Sequence, residues 1–139
     1  MTGLDLQMAQ KVLDSQPFSA LVGARITAFG DGVATLEIDS REELRQQNGF
    51  LHGGVLAYAA DNALTFAAGT TLGPAVLTGG FSIQYLRPAT GASLVARAEV
   101  VHTGRRQAVA RCDLSVVGQD GTETLCAVAQ GTVLSAASS

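Results

Sequence analysis

Apolar and polar positions alternate along much of this chain, and one stretch breaks the alternation. From Gly53 to Gly69 nearly every position is apolar, including Val55, Leu56, Ala57, Ala59, Ala60, Ala63, Leu64, Phe66 and Ala67. A run of that length, rich in Ala and Leu and closed by Gly69, predicts a helix. Being apolar nearly all round, it has to be wrapped by other structure. Downstream, strand-like segments fall at Val76–Leu86, Ser93–His102, Gln107–Val117 and Thr122–Val133. Their separators, Pro88–Gly91, Gly104-Arg105-Arg106 and Gly118–Gly121, are short and predict antiparallel neighbours. Upstream, Ala24–Phe29 and Val33–Ile38 read as a hairpin about Gly30-Asp31-Gly32. Arg41–Gly49 reads as a polar loop. Leu4–Leu13 reads as a short amphipathic helix with Leu4, Met8 and Val12 near one face, ended by Pro17. Ser135–Ser139 is a small-residue tail. Two strands, a buried helix and four long strands define an α+β chain. An antiparallel sheet wrapped around one helix satisfies that order, as does a generic α+β sandwich.

Composition narrows the classes. The chain has 139 residues, enough for one domain with a real core, spanning 1–139. Hydrophobic residues make up 47% and charged residues 15%, so little charge is left to cover a large exposed surface. Some apolar surface is expected to lie between subunits. The formal net charge of −3 comes without a basic stripe, which argues against a nucleic-acid partner. Asp5, Lys11 and Asp14 interrupt the N-terminal apolar residues, so no secretory signal is expected. Asp61 and Asn62 sit in the middle of the long apolar run, where lipid disfavours a polar pair, so no membrane span is expected either. Cys112 and Cys126 match neither a metal spacing nor a dense disulfide framework, and both read as inert core or half-buried thiols on strands. The expectation is a cytoplasmic protein with no metal and no cofactor.

Chemistry concentrates at Gln46–Asp61. The pair Gly53-Gly54 opens the helix, where the backbone can approach a ligand closely and the first N–H groups lack helical partners. Those groups and the helix dipole suit an oxygen gaining negative charge, such as the oxyanion formed from a thioester carbonyl. The same glycines also suit a helix start packed tightly on a sheet. Asp61 lies eight residues further on, where a carboxylate in an apolar helix is costly unless paired or wet. Acids so placed often act at active sites, and a structural Asp at a subunit interface is the competing reading. Eight residues at about 1.5 Å each separate Gly53 from Asp61 by roughly 12 Å. One helix cannot bring both to one carbonyl. Two antiparallel helices in a two-fold dimer can, so a site using both features is shared between subunits. His52 beside the glycines has no second His or Cys at ligand spacing. His102, in a strand near a turn, reads as surface or interface. No Gly-x-Ser-x-Gly elbow is present, which disfavours a serine hydrolase.

The run Gly49 to Gly54, with Asp61 beyond it, resembles the hotdog-fold acyl-CoA thioesterase superfamily, in particular its phenylacetic-acid-pathway (PaaI-type) group. That group shows Gly-x-x-His-Gly-Gly followed by an Asp on the central helix. Gly80 to Ala89 is similar to the group's strand ending in a Tyr-x-x-Pro-Ala turn, and Val100 to Ala110 to the hairpin that follows. The resemblance spans about 24–133. It implies a hotdog fold, with dimers that pair into tetramers, and hydrolysis of an acyl-CoA to the free acid and CoA. Asp61 becomes the general base or nucleophile. The Gly53 N–H polarises the carbonyl, with Gly54 beside it, His52 supports the motif, and Thr78 helps hold the water. Where several relatives carry Asn six residues before the motif His, this chain has Gln46, whose amide bonds similarly with one more methylene; Asn48 is the alternative. Arg87, Arg105 and Arg106 are expected at the phosphates of CoA. The competing functions are a non-catalytic acyl-CoA sensor, which needs no acid on the helix, and a hotdog dehydratase, whose Asp/His motif is not recognisable here.

Overall fold

A six-stranded antiparallel sheet curls around the predicted helix. In the computed structural model, which describes residues 5–136, the order is α1 (Leu6–Asp14), α2 (Pro17–Val22), β1 (Arg25–Gly30), β2 (Val33–Asp39), α3 (Gly53–Leu72), β3 (Val76–Tyr85), β4 (Ser93–Thr103), β5 (Gln107–Val117) and β6 (Glu123–Ser135). The strands lie in the order β1-β2-β4-β5-β6-β3. Every strand touches α3, the two edge strands included. This is the architecture the resemblance implies. The helix runs unbroken to Leu72, three residues beyond the expected stop, where Gly73 at φ 93° turns the chain out and donates to the Gly69 carbonyl at 3.0 Å.

Small side chains let the sheet come close. Ala59, Ala60, Ala63, Ala67 and Ala68 are buried on α3, and Leu36, Ile38, Leu64, Leu94 and Leu114 fill the space around them. Fully burying each of those larger side chains contributes about 1.5–3 kcal/mol. The inward face of β3 changes parity part-way. Val76 and Thr78 are half-buried on one phase and Phe81 and Ile83 on the other, with a register shift between Thr78 and Gly80. This bulge at Gly79-Gly80 lets both Thr78 and Phe81 face the helix. Across from Phe81, a Cβ on Gly131 would stand 2.5 Å from the Phe81 Cβ, so only glycine fits there.

The N-terminal segment departs from the sequence reading. Pro17 does more than end the first helix: it opens α2 at its first position, where a missing N–H is harmless. The stripe proposed for α1 also shifts. Leu4 lies outside the described residues, Met8 and Val12 are more than 40% exposed, and the buried positions are Ala9 and Leu13. Asp5 caps α1, accepting from the Met8 N–H at 2.9 Å. The polar loop contains a short 3-10 turn, Glu42–Leu44. Just before it, the Arg41 guanidinium donates to the Leu21 and Val22 carbonyls at the end of α2. Beyond the small-residue start at Ser135, the tail 137–139 lies outside the described residues. Among the described residues no helix is long and apolar enough to cross a membrane.

Both thiols are buried on strands, Cys112 on β5 and Cys126 on β6. Burial pushes the Cys112 thiol up to about 12, with Asp113 adding to it, and raises that of Cys126 as well. Attack requires the thiolate. Native protein at pH 8 should therefore give no colour with a thiol-disulfide dye over minutes, and two thiols per chain after denaturation. Rapid labelling of the folded chain would contradict the buried placement.

Candidate active site

The start of α3 is built by His52. Its backbone is extended and its ring Nδ1 accepts from the Gly54 N–H at 2.8 Å, which leaves the ring proton on Nε2. The Val55 N–H bonds the His52 carbonyl at 2.9 Å. The Gly53 amide has no partner among the described residues. Tyr85, the last residue of β3, donates its hydroxyl to the Gly53 carbonyl at 2.9 Å, and its ring lies where a Gly53 Cβ would meet it at 3.4 Å. Sequence reasoning did not assign Tyr85 a role. The Tyr-x-x-Pro-Ala turn was the available signal, and only the fold shows that this turn docks on the helix start.

Asp61 is half-buried on α3 and accepts a hydrogen bond at Oδ1 from the Thr78 hydroxyl at 2.5 Å. The resemblance implies that Thr78 holds the water; here its hydroxyl bonds the carboxylate itself. A third hydroxyl joins it. Thr65, one turn beyond Asp61, lies 2.7 Å from Thr78 Oγ1 and 2.8 Å from the Asp61 carbonyl oxygen. Two hydroxyl protons serve three oxygen contacts, so Thr65 chooses between the backbone and Thr78. In the second choice, Thr65 donates to Thr78 and Thr78 to the carboxylate, which strengthens the last bond. Asp61 Oδ2 has no partner among the described residues and is free to bind a water. The i, i+4 spacing of Asp61 and Thr65 was the missed signal.

The remaining predicted residues divide by position. Gln46 lines a cleft of about 310 Å³ with Phe50, Gly53, Tyr85 and Arg87. Its side-chain oxygen accepts from the Asn48 backbone N–H in a turn completed by Gly49 at φ 89°. Gln46 thus shares the cleft with Gly53, and Asn48 is not one of its walls. Arg87 is braced by donation to the Leu125 carbonyl at 2.6 Å. Arg105 and Arg106 are exposed in the β4–β5 turn. That turn sits at the far end of α3, where Thr103 bonds Thr71 at 3.1 Å. Nineteen helical steps, roughly 28 Å, separate the two ends, so one chain does not bring Arg87 and the Arg105-Arg106 pair together. Among the described residues no three His, Cys, Asp or Glu side chains gather as a metal site.

Comparison with known proteins agrees with this arrangement. The thioesterase superfamily matches residues 48–122, which contain the helix start, Asp61 and Thr78. The chain belongs to the thioesterase superfamily. A thioesterase family protein of known structure from Silicibacter pomeroyi is 37% identical with a TM-score of 0.83, covering 91% of this chain and 96% of that one. The 1,4-dihydroxy-2-naphthoyl-CoA hydrolase of Listeria monocytogenes is 26% identical over 81% of this chain and 89% of its own length. The acyl-coenzyme A thioesterase PaaI of Escherichia coli is 27% identical over 81% of this chain and 79% of its own. The chain is thus a thioester hydrolase with the hotdog fold, in the PaaI-type group.

The bond from Thr78 tests the site locally. A hydrogen bond to a charged group is worth about 1.5–3 kcal/mol. Thr78→Val keeps the shape and removes the donor, so kcat should fall roughly ten- to a hundredfold with KM little changed. Thr78→Ser should retain most of the activity. Equal kcat for Val and Thr would show that the hydroxyl does not serve the carboxylate.

Proposed function

We propose that this protein hydrolyses an acyl-CoA to the free acid and CoA, in a site shared between the two subunits of a homodimer. The observation that carries the reading is the Asp61 carboxylate, fixed by Thr78 at the middle of α3 with one oxygen left for water. The names of the Listeria and Escherichia relatives, both CoA-thioester hydrolases, support CoA as the leaving group. Asp61 takes a proton from water as the water oxygen attacks the thioester carbon. The carbonyl electrons move onto oxygen, and the oxyanion is met by the N–H of Gly53 at a helix start. Collapse expels the CoA thiolate, which takes up the proton, and leaves the acid. Direct attack by Asp61, through an anhydride that water then opens, gives the same products.

The second subunit follows from distance and from β3. Gly53 and Asp61 of one unbroken helix stand roughly 12 Å apart. β3 closes the sheet at one edge and has no buried residue along its ten positions, with Leu77 64% exposed. A long edge strand with unpaired N–H and C=O groups is a ready surface for pairing with another chain. Two-fold pairing there would set the two α3 helices antiparallel, with Gly53 of one beside Asp61 of the other.

Two substitutions separate the halves of the site. Asp61→Asn should lower kcat about a hundredfold or more with folding retained. Gly53→Pro deletes the amide proton at the first helical position, where proline is tolerated, and His52 is already in the extended conformation proline requires. Loss of one oxyanion donor should cost a factor of about 10²–10³. Mixing the two inactive proteins with subunit exchange should restore roughly a quarter of the parent sites. No recovery after verified exchange would refute the shared site. Full activity of folded Asp61→Asn would refute the catalytic reading. Tight acyl-CoA binding by the parent without CoA release would instead identify a sensor. A single turnover in ¹⁸O water separates the routes, since direct attack leaves a protein oxygen in the acid.

A further inference from the structure

A second cavity, of about 150 Å³, lies beside α3 along Asn62, Thr65, Phe66 and Gly69, beyond Asp61 on the side away from Gly53. Thr65, which bonds Thr78, is one of its walls, and so is Val76, two residues before Thr78. Phe29 of β1 and Phe66 of α3 line it as an edge-to-face pair, 6.3 Å between centroids. The side facing α1 is made by Ala9, Val12 and Gln16. The cavity thus lies between Thr65, which bonds Thr78, and the N-terminal hairpin. An apolar cavity on the order of 150 Å³ holds one benzene ring. It is too small for a long alkyl chain unless α1 moves.

The hairpin is held by a buried chain of hydroxyls. Tyr58, one turn before Asp61 on α3, donates to Ser19 at 2.5 Å, and Ser19 donates to the Gln16 side-chain oxygen at 2.6 Å. Ser19 is 2% exposed. Burial raises the Tyr58 hydroxyl above the usual tyrosine range, so it remains a donor through neutral pH. Phe18 packs edge-on against the Tyr58 ring at 5.3 Å. Gln16 joins α1 to α2 and is itself a cavity wall, so the chain runs from the catalytic helix to the wall of the pocket.

We propose that this cavity receives the acyl group, and that the α1–α2 hairpin, latched to α3 through Tyr58, Ser19 and Gln16, limits that group to a single ring or a short branched chain. The proposal rests on the thioesterase reading and deepens it. Its test measures kcat/KM of the full chain for acetyl-, butyryl-, hexanoyl-, decanoyl- and benzoyl-CoA. The parent should favour butyryl, hexanoyl or benzoyl over decanoyl by about tenfold or more. Gly69→Leu puts a side chain into the cavity from a helical position where a Cβ meets only Val76, at 4.0 Å. It should lower the benzoyl-to-acetyl ratio about tenfold. Ser19→Ala releases the latch and should raise the decanoyl-to-hexanoyl ratio, with folding checked by thermal melting; Val12→Ala, on the exposed side of α1, should shift the ratio the same way if Ser19→Ala fails to fold. A parent that treats decanoyl and hexanoyl alike, or a Gly69→Leu chain that loses all substrates in proportion, overturns the acyl assignment and leaves the hydrolase reading standing. A parent that hydrolyses none of them overturns the hydrolase reading. In that case saturation-transfer NMR with free benzoate and hexanoate decides the cavity: binding lost in Gly69→Leu supports it, and no binding overturns it.

Discussion

A helix that is apolar nearly all round has to be covered over most of its surface, and the rest of this structure depends on covering it. Twenty residues of α3 carry no charge except Asp61. Its buried alanines are small enough for the inner face of a curled sheet to rest on them, and the strands supply the leucines and isoleucines that fill the remaining volume. Curling brings the two edge strands round to the helix. The gap left between them is where α1 lies and where the polar side chains of the helix emerge. The location of Asp61 is therefore a consequence of the wrapping: it sits where the sheet stops covering the helix.

A carboxylate at that margin still needs a donor, and the sheet edge provides one through a local irregularity. Strict alternation along β3 would send Thr78 and Phe81 to opposite faces. The bulge at Gly79-Gly80 gives the edge strand two inward phases, so that Thr78 serves Asp61 while Phe81 continues the core. Gly131 on β6 clears the space the bulged strand occupies. A catalytic contact and a packing contact are reconciled by three glycines that no hydrophobic pattern would mark.

Much of this was legible in the sequence where periodicity or spacing carries it. The helix start at Gly53 and the strands follow from apolar patterning, and the short separators mark the β1–β2, β4–β5 and β5–β6 neighbours correctly. The Pro88–Gly91 separator does not, because β3 leaves the helix to pair with β6 and the chain then crosses to β4 beside β2. What stayed hidden depends on contacts between segments far apart in the chain. The role of Tyr85 exists only because β3 ends beside the helix start. Thr65 looks like any helical threonine until Thr78 is placed against it. The α1 stripe was misassigned because Leu4, Met8 and Val12 have the right spacing, and so do Leu6, Ala9 and Leu13; the docking of α1 on β1 selects the second set. Pro17 was read as a stop because a proline that ends one helix and a proline that opens another look the same without the intervening turn.

The layout along α3 also gives the proposed substrate a direction. The cleft at Gly53 is the larger and carries Gln46, Tyr85 and Arg87 among apolar walls, whereas the cavity beside Thr65 is smaller and holds no charged side chain. A thioester whose carbonyl lies at Asp61 would place its acyl group in the second and its CoA arm outside it. The basic residues sharpen the point. Arg87 stands at one end of the helix and Arg105 and Arg106 at the other, roughly 28 Å away. Within one chain they cannot share a phosphate group. Antiparallel helices in the proposed dimer would bring the Arg105-Arg106 turn of one subunit toward the Gly53 end of its partner. The register that sets Gly53 beside the partner's Asp61 would place that turn about eleven helical steps, roughly 16 Å, past the Gly53 end, so the basic residues would meet CoA at separate points along its length.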